Sequence, residues 1–161
     1  MTDCAGPYIP TVAGFTTFIR NVMGINTTIL PDNSAVITMA YCVAKEIVNQ
    51  AIQQVSPLIY ELALYNLAGS NLLNYAQDLD SSPIYKNKLK YFAYIRSQWN
   101  MLGFVSGVIQ SSADEGTSES LVVQEAAKDF TLANLQQLKD PFGRQYLAFA
   151  QDYGPAAWGV T

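Results

Sequence analysis

A chain of 161 residues has room for one domain with a real core, since a domain of that size buries about 68–70% of the surface its unfolded chain exposes, and two domains would each be marginal. Half of the residues are hydrophobic, 12% are aromatic and 14% are charged, against about 25% charged in an ordinary soluble domain. That composition excludes whole-chain disorder, and nine basic and thirteen acidic side chains leave much of the surface neutral, which marks contact with something other than water.

The chain has no histidine, which removes the commonest general base near neutral pH and the commonest transition-metal ligand. Hydrolases built on a serine–histidine or cysteine–histidine pair are excluded. Cys4 and Cys42 cannot make a zinc site without further ligands. Cys42 falls inside a helical pattern, where a small buried hydrophobe is expected. So few cysteines suit a reducing cytoplasm. No basic segment followed by an apolar one opens the sequence, and no stretch reaches the roughly 18 apolar residues of a membrane helix. The expectation is a soluble chain made in the cytoplasm, with no membrane contact.

Residues 1–12 read as an irregular arm with Gly6, Pro7 and Pro10. Phe15, Phe18, Ile19, Val22 and Met23 then lie on one helical face, and Gly24 is placed to end that helix in a left-handed conformation. Residues 25–33 read as a loop, and Ser34 caps a second helix over about 35–54. Its stripe of Val36, Ile37, Ala40, Val43, Ala44, Ile47, Val48, Ala51, Ile52 and Val55 has a period near 3.6.

Ser56-Pro57 restarts the chain as a cap followed by a first-turn proline. The third helix, about 57–78, is apolar on nearly every side. It is therefore either the centre of the bundle or a helix that also meets a neighbouring subunit. After the loop Asp78 to Pro83, a fourth helix over about 84–102 carries Tyr85, Leu89, Phe92, Ile95, Trp99 and Leu102 on one face.

The β-prone runs 103–110 and 119–124 flank polar Ser111 to Ser118, so the region 104–124 reads as a hairpin or an extended loop. Phe130, Leu132, Leu135 and Leu138 suggest a short helix, and Asp140-Pro141 starts the last one with Phe142, Tyr146, Leu147 and Phe149. The tail 153–161 has no charge, contains Trp158 and is expected to dock. The whole is a mainly α, single-domain bundle of four to six helices with an extended C-terminal arm.

Little in the sequence carries chemistry. Asp78 with Asp80 and Asp114 with Glu115 sit in polar, loop-like stretches, where solvated acids are expected rather than the paired carboxyls of a glycosidase. Glu115, Glu119 and Glu125 lack the ordered pattern of a calcium loop, and no phosphate-cradling glycine motif appears. The expectation is therefore no catalytic residue, no metal and no cofactor.

Charge is distributed unevenly. Net charge is −4, yet Lys86, Lys88, Lys90 and Arg96 form a stretch without an acid, interleaved with Tyr85, Tyr91, Phe92 and Tyr94. On a helix Lys86 and Lys90 would share a face while Lys88 points elsewhere. A solvated helix end, or a partner for a neighbour's acidic surface, fits better than a nucleic-acid site. Any contact with DNA would be nonspecific and strongly salt-dependent.

The runs Phe18-Ile-Arg-Asn-Val-Met-Gly24, Leu30-Pro-Asp32, Tyr65-Asn-Leu-Ala-Gly69 and Leu138-Lys-Asp-Pro-Phe-Gly-Arg-Gln-Tyr-Leu147, with Trp158-Gly159, resemble tailed-bacteriophage head–tail connector or adaptor (neck) proteins over most of the chain. These are packing and turn motifs. The resemblance implies a virion protein at the head–tail interface, assembled in the host cytoplasm as a ring of about twelve copies. Such a ring binds the portal, extends the DNA channel and seats the next tail or neck component. It further implies that the tail, with Tyr153, Pro155, Trp158 and Val160, contacts the portal or a neighbour, and that the 104–124 segment meets the next neck layer. A ring needs two different complementary surfaces on each subunit, and the basic segment meeting a neighbour's acidic one would supply a pair. The rival readings are a helical module binding a ligand or protein and, behind it, a carboxylate-based hydrolase.

Overall fold

A computed structural model describes residues 8–103, 112–114, 117–119 and 136–155. Among them the protein is mainly helical: α1 Val12–Asn21, α2 Ala35–Ile47, α3 Ala51–Val55, α4 Pro57–Tyr75, α5 Tyr91–Gln98 and α6 Pro141–Tyr153. Strands β1 Ser112–Asp114 and β2 Thr117–Glu119 pair antiparallel, with Ser112 opposite Glu119 and Asp114 opposite Thr117.

Local signals set several of the helix ends. Thr11 caps α1 by accepting from the Gly14 N–H at 3.0 Å, and Gly24, at φ 69°, turns the chain after it. The loop that follows is held by Arg20. Its guanidinium donates to the carbonyls of Ile25 and Leu30 at 2.6 Å each and to Asp32 Oδ1 at 2.5 Å. Ser56 caps α4 by accepting from the Ile59 N–H at 3.3 Å, and Pro57 occupies its first turn.

α4 is the centre of the bundle. Eleven of its residues are buried, from Tyr60 to Leu73, and α1, α2, α3, α5 and α6 all pack on it. Among the described residues this helix is therefore central to the bundle. α6 begins beside Ser70 and Asn74, runs along α4 and touches α3.

Phe15, Phe18, Tyr41 and Tyr65 form an aromatic centre with ring centroids 5.8–6.4 Å apart. The Tyr65 hydroxyl accepts from the Thr11 N–H at 3.1 Å and donates to the Thr11 carbonyl at 3.3 Å, fastening α4 to the start of α1. A Cβ on Gly14 would collide with that hydroxyl.

Burial pushes the Tyr65 phenol up to about 12, against the lesser opposing pull of its bonds to Thr11. A tyrosine that ionises near 10 in the unfolded chain and near 12 in the fold contributes stability fully present below pH 10 and lost as pH rises through 12. Tyr65→Phe is therefore expected to cost about 1–2 kcal/mol at pH 7, because the Thr11 N–H loses its acceptor. Between pH 10 and 12 its unfolding free energy should fall less steeply than that of the parent. Urea titrations at several pH values check both, and equal slopes would contradict the assignment. Burial also raises Tyr60, Tyr91 and Tyr146, so some slope remains in the variant.

Three expectations are corrected. The helix expected over 35–54 breaks at Val48, which is extended at φ −67°, ψ 125°. The Asn49 side chain accepts from the Ala51 N–H at 2.9 Å, offering the backbone a turn in place of a helical bond.

The helix expected over 84–102 begins only at Tyr91. Before it, Lys86 and Leu89 bridge around Asn87 (φ 51°) and Lys88 (φ 61°), a tight turn with two left-handed residues. The start of α5 is fixed by Asp78, whose carboxylate accepts from the Phe92 and Ala93 N–H groups at 2.9 Å each. Asp78 is thus a remote helix cap and not a solvated loop acid.

Within 104–124, expected as a hairpin or an extended loop, the described residues Ser112–Asp114 and Thr117–Glu119 pair across the sequence Glu115-Gly116. The β-prone runs to either side lie mostly outside the described residues, as do Phe130, Leu132 and Leu135.

Candidate functional site

The four basic residues singled out by the sequence do not form one patch. Lys86 lies over two rings, its Nζ 5.5 Å from the Tyr85 centroid and 5.8 Å from that of Tyr94. Lys88 is exposed in its turn. Lys90 donates to the Leu79 carbonyl at 2.7 Å and the Asp80 carbonyl at 3.2 Å, so it holds the 78–82 loop.

Arg96 donates to the Leu73 carbonyl at 2.8 Å and to the Ala76 carbonyl, satisfying the orphan acceptors at the end of α4. Burial lowers its pKa, with Asp78 opposing that shift. Two of the four charges are thus spent inside the fold, and only Lys86 and Lys88 are presented outward. The turn over 86–89 also removes the shared helical face of Lys86 and Lys90.

Of the tail residues, Tyr153 is partly buried against the core and Pro155 is half-buried. Trp158 and Val160 lie outside the described residues.

The larger unpartnered surface is on α2. Ile37, Ala40, Tyr41 and Ala44 face the core. The rest of the wide apolar stripe turns outward, with Met39 67% exposed, Ile47 52%, Val43 45% and Val36 38%. Cys42 is exposed too, which corrects its expected burial: α2 packs by one face only, set by Ile37, Ala40, Tyr41 and Ala44, and Cys42 lies off it.

Between this face and the end of α4 lies a groove of about 300 Å³ lined by Val36, Met39, Ala40, Val43, Asn71, Leu72 and Tyr75. A second lobe of about 200 Å³ continues from it through Val43, Asn71 and Tyr75 to Ser70, Asn74, Gln136 and Gln137. No lining residue of either lobe is charged.

The polar lobe is built by the start of α6. Asp140, fully buried, accepts from the Ser70 hydroxyl at 2.7 Å, from Asn74 Nδ2 at 3.1 Å and from the Gly143 N–H at 2.8 Å. The Tyr75 hydroxyl donates to Gln136 Oε1 at 3.1 Å. Two buried atoms beside these have no hydrogen-bond partner, Asn71 Nδ2 and Gln137 Oε1.

The groove escaped sequence reasoning, although a signal existed: with Met39 counted, the apolar positions of α2 cover more than the one face that a single packing contact can bury. The arrangement offers apolar burial, and the groove lining presents no nucleophile–base pair. Among the described residues no group of three His, Cys, Asp or Glu could hold a metal, and no helix is long and apolar enough to cross a membrane. No family model, curated protein or solved structure matches this chain.

Proposed function

We propose that the protein is a non-catalytic structural subunit of a tailed-phage virion, an adaptor whose copies form a ring joining the portal to the tail and extending the DNA channel. The observation that carries this reading is the outward apolar face of α2, Val36, Met39, Val43 and Ile47, on a chain with only 14% charged residues. A monomer leaves such a contiguous face wet at a cost, and association removes it from water. Head-to-tail closure needs a second, different surface, and the uncharged tail beyond Asp152 is the candidate. The partners are further copies of the chain, a portal, and the next neck or tail component. DNA passing through the ring meets at most nonspecific contacts from Lys86 and Lys88.

The distribution of charge changes the expected salt response. With Lys90 and Arg96 engaged internally, ion pairs between subunits are a minor contribution and apolar burial dominates. Assembly is expected to persist or strengthen from 0.1 to 1 M sodium sulfate, read by sedimentation velocity. Dissociation on adding the salt would point instead to an electrostatic interface.

The groove itself favours a second reading, a helical module that binds a ligand or a protein segment. Electron microscopy of the purified protein with a candidate portal separates the two. Rings or capped portals support the adaptor, and single particles that leave the portal bare contradict it.

A further inference from the structure

We propose that the tight turn over 84–89 is a contact for single-stranded nucleic acid, with Lys86 and Lys88 on the phosphodiester backbone and the Tyr85 ring stacked on a base. The contact goes beyond the assembly reading above and does not depend on it.

The charge at the turn is local and unspent. No acid stands between Asp80 and Asp114, a span that holds four of the nine cations. Lys90 and Arg96 are engaged by carbonyls of the fold, and Lys90 also lies 4.0 Å from Asp80 Oδ1. Among the described residues neither Lys86 nor Lys88 pairs with a carboxylate, and both are exposed. Salt at about 0.1 M screens charge beyond about 10 Å. An anion at the turn therefore meets these two ammonium groups and little of the net charge of −4.

The backbone presents the two lysines on a fixed frame. The Tyr85 N–H donates to the Leu89 carbonyl and the Leu89 N–H to the Lys86 carbonyl, at 2.8 Å each. Asn87 and Lys88 between them are both left-handed, at φ 51° and 61°. Asn-Gly is the pair that favours such a turn, so Lys88 stands where glycine would sit without strain. Residues held in sparsely populated backbone regions gather where ligands are bound, and here the strained position carries a long cation. Lys86 is steadied by aromatic rings, its Nζ 5.5 Å from the Tyr85 centroid and 5.8 Å from that of Tyr94.

The ring selects the class of anion. Tyr85 is 45% exposed and is held in place edge-on to Tyr91, with centroids 5.2 Å apart. A carboxylate on an acidic protein would use the cations alone. A nucleotide offers a phosphate to the cations and a flat base to the ring. Bases inside a duplex stack on one another and are closed to such a ring, so the strand that fits is single.

Fluorescence anisotropy of a labelled oligothymidine, titrated with the full-length protein from 50 to 200 mM salt, tests this. Two phosphate contacts predict a slope of about −1.4 in log K against log salt, an affinity about sevenfold lower at the upper end. Lys88→Gly should bring the slope to about −0.7 and leave the melting temperature equal or higher, because glycine suits the turn. Tyr85→Ala should weaken binding about fivefold or more with the slope unchanged, and Tyr85→Phe should retain it.

No binding at 50 mM salt, a slope indifferent to Lys88→Gly, or an affinity indifferent to Tyr85→Ala would each overturn the contact. Displacement of the oligonucleotide by poly-glutamate at equal charge concentration would do the same and assign the turn to an acidic protein surface. Sedimentation of the same samples keeps the two readings apart: single chains that bind retain the turn contact and overturn the ring, and assemblies that do not bind overturn the turn contact alone.

Discussion

Asp140→Ala is expected to lower the unfolding free energy by about 2–4 kcal/mol, a large share of what holds a domain of this size together. The carboxylate is fully buried and serves three donors at once: the Gly143 N–H inside α6, and Ser70 and Asn74 on α4. Loss of a helix cap alone costs about 1 kcal/mol. Here truncation also strands the buried Ser70 hydroxyl, at about 1–3 kcal/mol before relaxation, while the Asn74 amide keeps its 2.8 Å bond to the Ser70 carbonyl. Asp140→Asn should cost roughly half as much. Its carbonyl oxygen keeps the Gly143 bond and the Ser70 hydroxyl can rotate to accept, but its amide faces the amide of Asn74. Urea unfolding followed by circular dichroism gives both values. A loss below 1 kcal/mol for Asp140→Ala would mean that the α4–α6 contact does not depend on this carboxylate.

The second large effect falls on assembly and not on stability. Met39→Glu and Val43→Glu place a charge on the outward face of α2, where the parent side chains are 67% and 45% exposed. The folded monomer should tolerate either within about 0.5 kcal/mol, as solvated surface positions do. Burying either carboxylate in a subunit contact, with no cation in the groove lining, should weaken self-association at least about 100-fold. Dilution series read by mass photometry provide the comparison. Unchanged association would place the interface elsewhere, and a drop in thermal stability to match the loss would show that the face is part of the core after all.

Legibility in the sequence followed the range of the interaction. Ser56-Pro57, Asp140-Pro141 and Gly24 announce helix ends through residues adjacent to the event, and all three were readable. The all-round apolar character of α4 also translated directly into a central helix. The failures are nonlocal or depend on one competing bond. Asn49 breaks a strong helical stripe with a single side-chain acceptor. Asp78 sets the start of α5 from 14 residues away, so the periodicity running back to Tyr85 counted positions that belong to a turn. Arg96 looks like a surface cation in sequence, and only the fold reveals that the end of α4 supplies its carbonyl partners. The groove needs α2, α4 and the chain before α6 together, and no window of sequence contains all three.

The central claim is that this chain is built to associate with copies of itself through the α2 face. Sedimentation velocity of the full-length protein across a hundredfold range of concentration, in low and in high salt, tests it most directly. The account predicts a discrete assembly at a multiple of the single-chain mass, retained in high salt and reduced to single chains by Val43→Glu. A single-chain mass at every concentration and in both salts would contradict it.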